Sequence, residues 1–567
     1  KFMLNIFVSS LFSSIILIIN GVIFSKLLFN TKVNDINVWE SGIYGFITVG
    51  FVSVTLNFFF PINKLIGSIF FISSLIIFFI FFYSFKKRRE LIFIILFVTL
   101  TSFLLVTSAN INRPDAGLYH LPYIRILQEN KIILGLTNLH FRFGFVSIFQ
   151  YISSIYNNFF LKNEFLNLPL ASLFPFFFLY LINKFISSLN KINASEILSI
   201  FFIIIFTLYS FNRFSNYGND VPASIFFFIL IVTILKIEKI NDVSMKEFFV
   251  LSILSIFLLT LKASMAIVLL LPLIIFLLNR NKIKILKHKN LIIILSFLLI
   301  WFLKNTLISG CLIFPLKETC FSKIFYFNEN LTIVASDEPE AWAKGYPTSN
   351  KTMNYKEYNS NFNWIGTWSQ NHLIRIIEKL LPFLILILLF LSKKILNKSF
   401  YKNFSFQIKK NKKTMLIIFF SSYCIVLWFL KFPLYRFGMS FISTFIIFTL
   451  VGIFISGQDY LYKKRVYFSI ICVGLIFLYF KNINRIINNY DLVYKNSPWP
   501  KIYSFNFDEK NKELNFQKIV DENNNLKFYY SDGELCMFSK SPCSNLSISN
   551  LERKKIKGYS VFYIKKN

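Results

Sequence analysis

Residues 65–108 read LIGSIFFISSLIIFFIFFYSFKKRRELIFIILFVTLTSFLLVTS. Two apolar runs, 65–85 and 91–108, flank the consecutive charges Lys86, Lys87, Arg88, Arg89 and Glu90. An apolar run of about 20 residues, coiled as an α-helix, matches the thickness of a bilayer core. A barrel strand would alternate polar and apolar residues over about 10 positions, and neither run does. The stretch therefore predicts two membrane helices joined on a basic, cytoplasmic side.

The same pattern recurs along the chain. Candidate spans fall at 2–29, 42–60, 65–85, 91–108, 168–187, 196–211, 222–236, 248–261, 264–278, 291–307, 374–392, 415–430, 440–456 and 466–480. The chain has 567 residues, 55% of them hydrophobic and 19% aromatic, more apolar surface than a soluble domain buries. Phe2–Phe29 is too long for a signal-peptide core and reads as a membrane helix. The expected fold is an all-α polytopic membrane protein of about 13–14 transmembrane helices, with a small extracytoplasmic α+β C-terminal domain. Its divisions are N-terminal helices (1–108), a first large loop (109–167), a main helical region (168–480, including loop 308–373) and a C-terminal domain (481–567).

Counting alternately from 86–90 puts the basic segments 279–290, 392–414 and 460–465 on the same cytoplasmic side. The segment 392–414 holds eight lysines and no acid. The net charge of +33 is thus gathered in loops, and no separate basic patch interleaved with aromatics marks a nucleic-acid site. The other face receives 109–167, 212–221, 308–373 and 481–567, with acids such as those of SDEPEAWAKGY (336–346). Two cysteine pairs, Cys311 with Cys320 and Cys536 with Cys543, fall on that face, where disulfides persist. Spacing alone leaves four free thiols as the alternative. Cys424 and Cys472 fall in spans and read as core packing. No CxxC or HExxH pattern points to zinc. In the tail, FYYSDGELCMF (528–538) has the composition of a hairpin turning at Asp-Gly.

Chemistry-bearing residues collect on the extracytoplasmic side. The segment RPDAGLYHLPYIRILQENKIILGLTNLHFRFG (113–144) brings Arg113, Asp115, Tyr119 and His120 to the end of a span. Helical spacing puts Asp115 and Tyr119 on one face. LYHLPYIRILQENKIIL (118–134) reads as an amphipathic helix at the membrane surface. Asn219 and Asp220 open another span, Lys262 sits in a short connection, and Lys431 and Arg436 sit in LKFPLYRFGMS (430–440). Each also has a plain reading, the acid as a loop ion pair and the bases as interfacial anchors. Together they offer a base and several cations, as suits a reaction with a phosphate leaving group.

RPDAGLYHLP (113–122), directly after a span, resembles the first extracytoplasmic loop of GT-C glycosyltransferases. YHLP, GLTNLHFRFGF (135–145), SGCLIFPL (309–316) and CMFSKSPC (536–543) also resemble a group of large bacterial membrane proteins considered GT-C-like. LKFPLYRFGMS is similar to a late Arg-bearing helix start that contacts donor phosphate in that superfamily. The resemblance implies sugar transfer from a polyprenyl-phosphate-linked donor to a hydroxyl of a glycan or lipid acceptor, at the outer face of a bacterial inner membrane. It implies Asp115 as catalytic base; His120 is the competing base because the ordinary imidazole pKa lies nearer neutrality. Lys262 and Arg436 would bind donor phosphate, with Lys431 and Arg113 as further candidates, and Asp220 would be a second acid or orient the acceptor. About four spans precede the acidic loop here, where the family often has one. Asp115 stands without the neighbouring acid that many members carry, so a divalent metal is left open and no cofactor is fixed. The alternatives are a polysaccharide polymerase or ligase using a lipid-linked oligosaccharide, and a transporter or flippase. The transporter predicts inverted halves and mid-membrane charges, whereas this sequence shows no internal repeat.

Overall fold

The computed structural model describes residues 2–107, 115–161, 166–191, 193–211, 214, 217–280, 282–347, 353–395, 412–454, 462–488, 517–521, 525–532, 535–548 and 550–565. Every candidate span coincides with helix. Among the described residues nine helices are long and apolar enough to cross a membrane: Met3–Phe29, Val38–Phe59, Lys64–Ser84, Arg88–Val106, Leu168–Lys191, Asn290–Ser309, Lys412–Lys431, Tyr435–Phe454 and Lys464–Asn488. The chain is a multi-pass membrane protein.

The other candidate spans are shorter, irregular or more charged. Ala194–Ser210, Asp220–Lys236 and Met245–Leu261 each have 17 residues, about 26 Å at the α-helical rise against a core of about 30 Å. Residues 263–278 begin as a 3₁₀ segment, Ala263–Leu269, before the helix Leu270–Leu278. Ile374–Ile395 carries Arg375, Glu378 and Lys379 in its first turns. The three 17-residue helices are nearly all buried, so they form the interior of the bundle. Several longer helices, Lys64–Ser84, Asn290–Ser309, Lys412–Lys431 and Lys464–Asn488, make its rim. Lys64–Ser84, for instance, turns Ile69, Ile72, Ile76, Phe79, Ile80 and Tyr83 outward. An apolar outer stripe of that kind suits lipid, not water.

At the centre, Phe2–Phe29 and Val38–Phe59 cross with their backbones touching. A Cβ at Gly21 would stand 1.7 Å from the Ser41 carbonyl oxygen, and one at Gly45 1.7 Å from that of Leu17. Only small residues permit such an approach, which replaces hydrophobic drive with packing. Phe46, Phe226 and Phe257 interlock three helices beside this crossing.

The two ends of the bundle differ. One end holds Glu196 between Lys236 (3.2 Å) and Lys413 (3.5 Å), and the Lys184–Glu40 pair at 2.7 Å. At the other end the first loop, loop 308–373 and the tail meet. Arg142 pairs with Glu338 at 2.8 Å, and Asn138 Nδ2 donates to the carbonyls of Gly135, Tyr326 and Phe562. Disulfides join Cys311 to Cys320 and Cys536 to Cys543. Cys424 is buried, but Cys472 is exposed on its helix and is no part of the core.

Among the described residues the tail has two small sheets. β1 (Gln517–Val520) pairs antiparallel with β2 (Leu526–Tyr530), which pairs parallel with β3 (Cys543–Ser544). The expected hairpin at 528–538 is not what forms. β2 takes the strand before it as partner, and the Cys536–Cys543 bond brings β3 to its other side. Gly533 and Glu534 lie outside the described residues. The true hairpin follows, between β4 (Leu551–Ile556) and β5 (Tyr559–Ile564). Its two-residue turn has φ of 47° at Lys557 and 79° at Gly558, the left-handed pair that suits the twist of a tight hairpin. β5 also binds the first loop: Leu134 N donates to Ser560 O and Phe562 N to Leu134 O, both at 2.9 Å.

Candidate functional site

The first loop enters the site through an irregular turn. Asp115 is followed by five residues of π-helix, Ala116–His120, and then by the α-helix Leu121–Glu129, which has Pro122 in its first turn. A π-turn widens the helix by one residue and commonly marks a functional position. The helix was expected to lie at the membrane surface. Seven of its nine residues are buried instead, leaving Arg125 and Glu129, paired at 2.6 Å, on the outer side. The tail is the reason. Met537 N donates to Gly117 O at 2.9 Å, Phe538 stacks under Arg125, and Ser541 N donates to Glu129.

Three helix ends supply the other groups. Asp220 is the first residue of Asp220–Lys236, where the helix dipole favours a carboxylate. Its neighbour Asn219 donates to Leu261 O at 2.8 Å, tying this start to the end of Met245–Leu261. Lys262 follows in extended conformation. Arg436 lies in the first turn of Tyr435–Phe454. The turn before it is clamped by two indoles, Trp368 Nε1 donating to Pro433 O and Trp428 Nε1 to Leu434 O, each at 2.8 Å.

These ends converge. Lys262 Nζ lies 2.6 Å from Asp220 Oδ1, Arg436 Nε 3.6 Å from Asp220 Oδ2, and Arg436 Nη2 3.8 Å from Asp115 Oδ2. Phe437 floors the cluster, its ring centre 3.2 Å from Lys262 Nζ and 4.9 Å from Arg436 Cζ. The two acids differ in setting. Asp220 is 20% exposed and Lys262 15%, whereas Asp115 and Arg436 are 42% and 49% exposed. Burial lowers the Lys262 pKa, and Asp220 opposes that shift by charge and hydrogen bond. Tyr119 is held as a neutral phenol, its pKa raised by burial first and by Asp115 and Asp220 next. Burial brings His120 down to about 4, against the pull of Asp115 and Asp220.

A family model matches residues 3–443. The chain belongs to the family described as Domain of unknown function (DUF8201). The DUF8201 region contains Asp115, Tyr119, His120, Asp220, Lys262 and Arg436, and it ends within Tyr435–Phe454, before the tail. No curated protein and no solved structure matches the chain.

Within the DUF8201 region, the geometry sorts the remaining candidates. Lys431 is engaged elsewhere, 3.0 Å from Glu340, which also holds Lys344 at 2.5 Å. Arg113 lies outside the described residues. Among the described residues no three of His, Cys, Asp and Glu gather as a metal site. The position between Asp115 and Asp220 is taken by the Arg436 guanidinium, so this donor set does not fit a bridging cation. Phe437 and Gln150 escaped sequence reasoning. Gln150 is the fourth residue of Ser147–Gln150, an S-x-x-Q signal that reads as a helix cap, and it does cap Ile148–Ile155. Nothing in its spacing reveals that its amide also reaches His120, 30 residues away.

The arrangement has defined chemical capacity. Asp115 is half exposed and held by one long ion pair, so its carboxylate can accept a proton from an incoming hydroxyl. Arg436 spends two of its three nitrogens on carboxylates, and a guanidinium has five N–H donors for an anion.

Proposed function

We propose that the protein is a multispanning glycosyltransferase of GT-C type, acting at the extracytoplasmic face of a bacterial inner membrane. The donor is a sugar linked to a polyprenyl phosphate, and the acceptor is a hydroxyl of a glycan or lipid. The observation that carries this reading is the meeting of Asp115, Asp220, Lys262 and Arg436, from four separate helix ends, in one cluster at one end of the bundle.

In this mechanism the acceptor oxygen bonds to the anomeric carbon as the bond from that carbon to the phosphate oxygen breaks. The hydroxyl proton passes to Asp115, and the bonding electrons leave on phosphate. Arg436 and Lys262 offset the charge that grows there, an effect that lowers the barrier because it strengthens toward the transition state. Asp220 keeps Lys262 protonated against its burial and orients Arg436. Asp115, the looser of the two acids, is the base.

The test is transfer by purified protein in proteoliposomes, using a panel of radiolabelled polyprenyl-phosphate sugars with membrane-extracted glycans and lipids as acceptors. Asp115→Asn is expected to lower transfer by at least about a hundredfold, the usual worth of a general base. A folded Asp115→Asn protein with wild-type turnover removes Asp115 from the chemistry.

A further inference from the structure

His120 lies one helical turn from Asp115, is buried, and touches Tyr119 with its ring tilted by 47° and the ring centres 4.2 Å apart. Its Nδ1 is 2.8 Å from Gln150 Nε2. Which atom donates follows from main-chain groups that have no choice of role. Gln150 Oε1 lies 3.0 Å from Ser147 N, which can only donate. Gln150 Nε2 lies 3.2 Å from Tyr217 O, which can only accept. The amide is therefore locked with its NH₂ toward the histidine, and Nδ1 must accept. A neutral imidazole that accepts at Nδ1 carries its proton on Nε2. Among the described residues Nε2 has no hydrogen-bond partner. The charged groups acting on the ring are Asp115, Asp220 and Arg436, the cluster itself.

We infer that His120 is a neutral hydrogen-bond donor of fixed tautomer, offering Nε2–H to an oxygen of the ligand bound at the Asp115–Arg436 cluster, and that Gln150 is its positioning residue. This revises the role of His120 from competing base to donor. A base at Nδ1 is blocked by the Gln150 amide, and Nε2 already holds its proton. The tautomer stands on geometry alone. The identity of the oxygen, a phosphate or sugar oxygen of the donor, rests on the proposed function. Burial, which keeps the ring uncharged at neutral pH, agrees with this assignment.

Histidine-selective ¹⁵N magnetic resonance on the full chain in proteoliposomes tests it. Only four histidines are present, and His120→Gln identifies the resonance. The expected spectrum from pH 6 to 8 has Nε2 protonated and Nδ1 bare. A proton on Nδ1, or on both nitrogens, overturns the inference. Gln150→Glu removes the N–H that faces Nδ1 and should move the proton to Nδ1 or add a second one. An unchanged tautomer in a folded variant overturns the positioning role, and the wild-type spectrum decides the tautomer if the variant does not fold. Adding a polyprenyl phosphate should shift the Nε2–H resonance. His120→Phe, which keeps a flat ring without N–H, should weaken that lipid's binding about tenfold, the worth of roughly one hydrogen bond to a charged group. No shift and no loss of affinity overturn the ligand contact. If both appear while every sugar donor fails in the transfer assay, the glycosyltransferase reading falls and the donor role of His120 stands.

Discussion

Neutralising each acid of the cluster in turn should give opposite results. Asp220 and Lys262 lie 2.6 Å apart and are mostly buried. At that distance two unit charges attract by about 6 kcal/mol at an effective dielectric of 20, most of it offset by desolvation. Removing one partner of a buried pair costs about 3–5 kcal/mol, because the other charge is stranded. Some exposure remains on both, so Asp220→Asn is expected to lose about 3 kcal/mol. Asp115 and Arg436 are 3.8 Å apart and about half exposed, and Asp115→Asn should cost less than about 1 kcal/mol. Thermal unfolding in one detergent, followed by tryptophan fluorescence, compares them. Adding Lys262→Met to Asp220→Asn should restore part of the loss, since no charge is then stranded. The pH dependence has a definite sign. Without Asp220, burial and the Arg436 charge depress the Lys262 pKa unopposed in the folded protein. The unfolded chain then binds more protons, so Asp220→Asn should regain stability as pH rises toward the ordinary lysine value of about 10.4. Equal stability of the two single variants, or additive losses in the double variant, would refute this division of roles.

Other outcomes follow from the same geometry. Glu340→Gln strands the buried Lys344 and frees Lys431, so it should lower stability by about 2–3 kcal/mol in the same unfolding assay. Gly45→Leu drives a side chain into the Leu17 carbonyl and should abolish folded protein in size-exclusion profiles after detergent extraction. Replacing Cys536 and Cys543 with Ser should speed protease cleavage of the tail, with a loss of about 2–3 kcal/mol expected for so short a loop. Burial depresses His120 to about 4 and His140 to about 3. The unfolded chain takes up protons first, so stability should fall as pH drops below about 6.5, and His140→Gln should flatten that fall.

How much of this was legible depends on the length scale of each signal. The helices announce themselves because a run such as 65–85 has one solution in lipid. The number of crossings is harder to read, because Ala194–Ser210 and Asp220–Lys236 are as apolar as the longer helices and differ from them in length. Asp115, Asp220, Lys262 and Arg436 could be shortlisted because each is an ionisable group at a helix end on the same side. Their meeting was not readable, since it depends on how four helices pack. Lys431 shows the limit: it shares a segment with Arg436, yet loop 308–373 claims it through Glu340. The hairpin at 528–538 failed for a related reason. Local turn chemistry favoured Asp-Gly, but a disulfide and an earlier strand fixed the pairing. Gln150 shows how a residue can satisfy a local rule fully and still conceal a second partner.

The bonds between Leu134 and the strand Tyr559–Ile564 carry a consequence for synthesis. A ribosome delivers Asp115 and Leu134 long before Phe562, so the early loop must wait, incompletely braced, while the remaining helices form. Only when the tail arrives does Leu134 find Ser560 and Phe562, and Gly117 its contact with Met537. Until then the loop that carries Asp115 lacks these two braces.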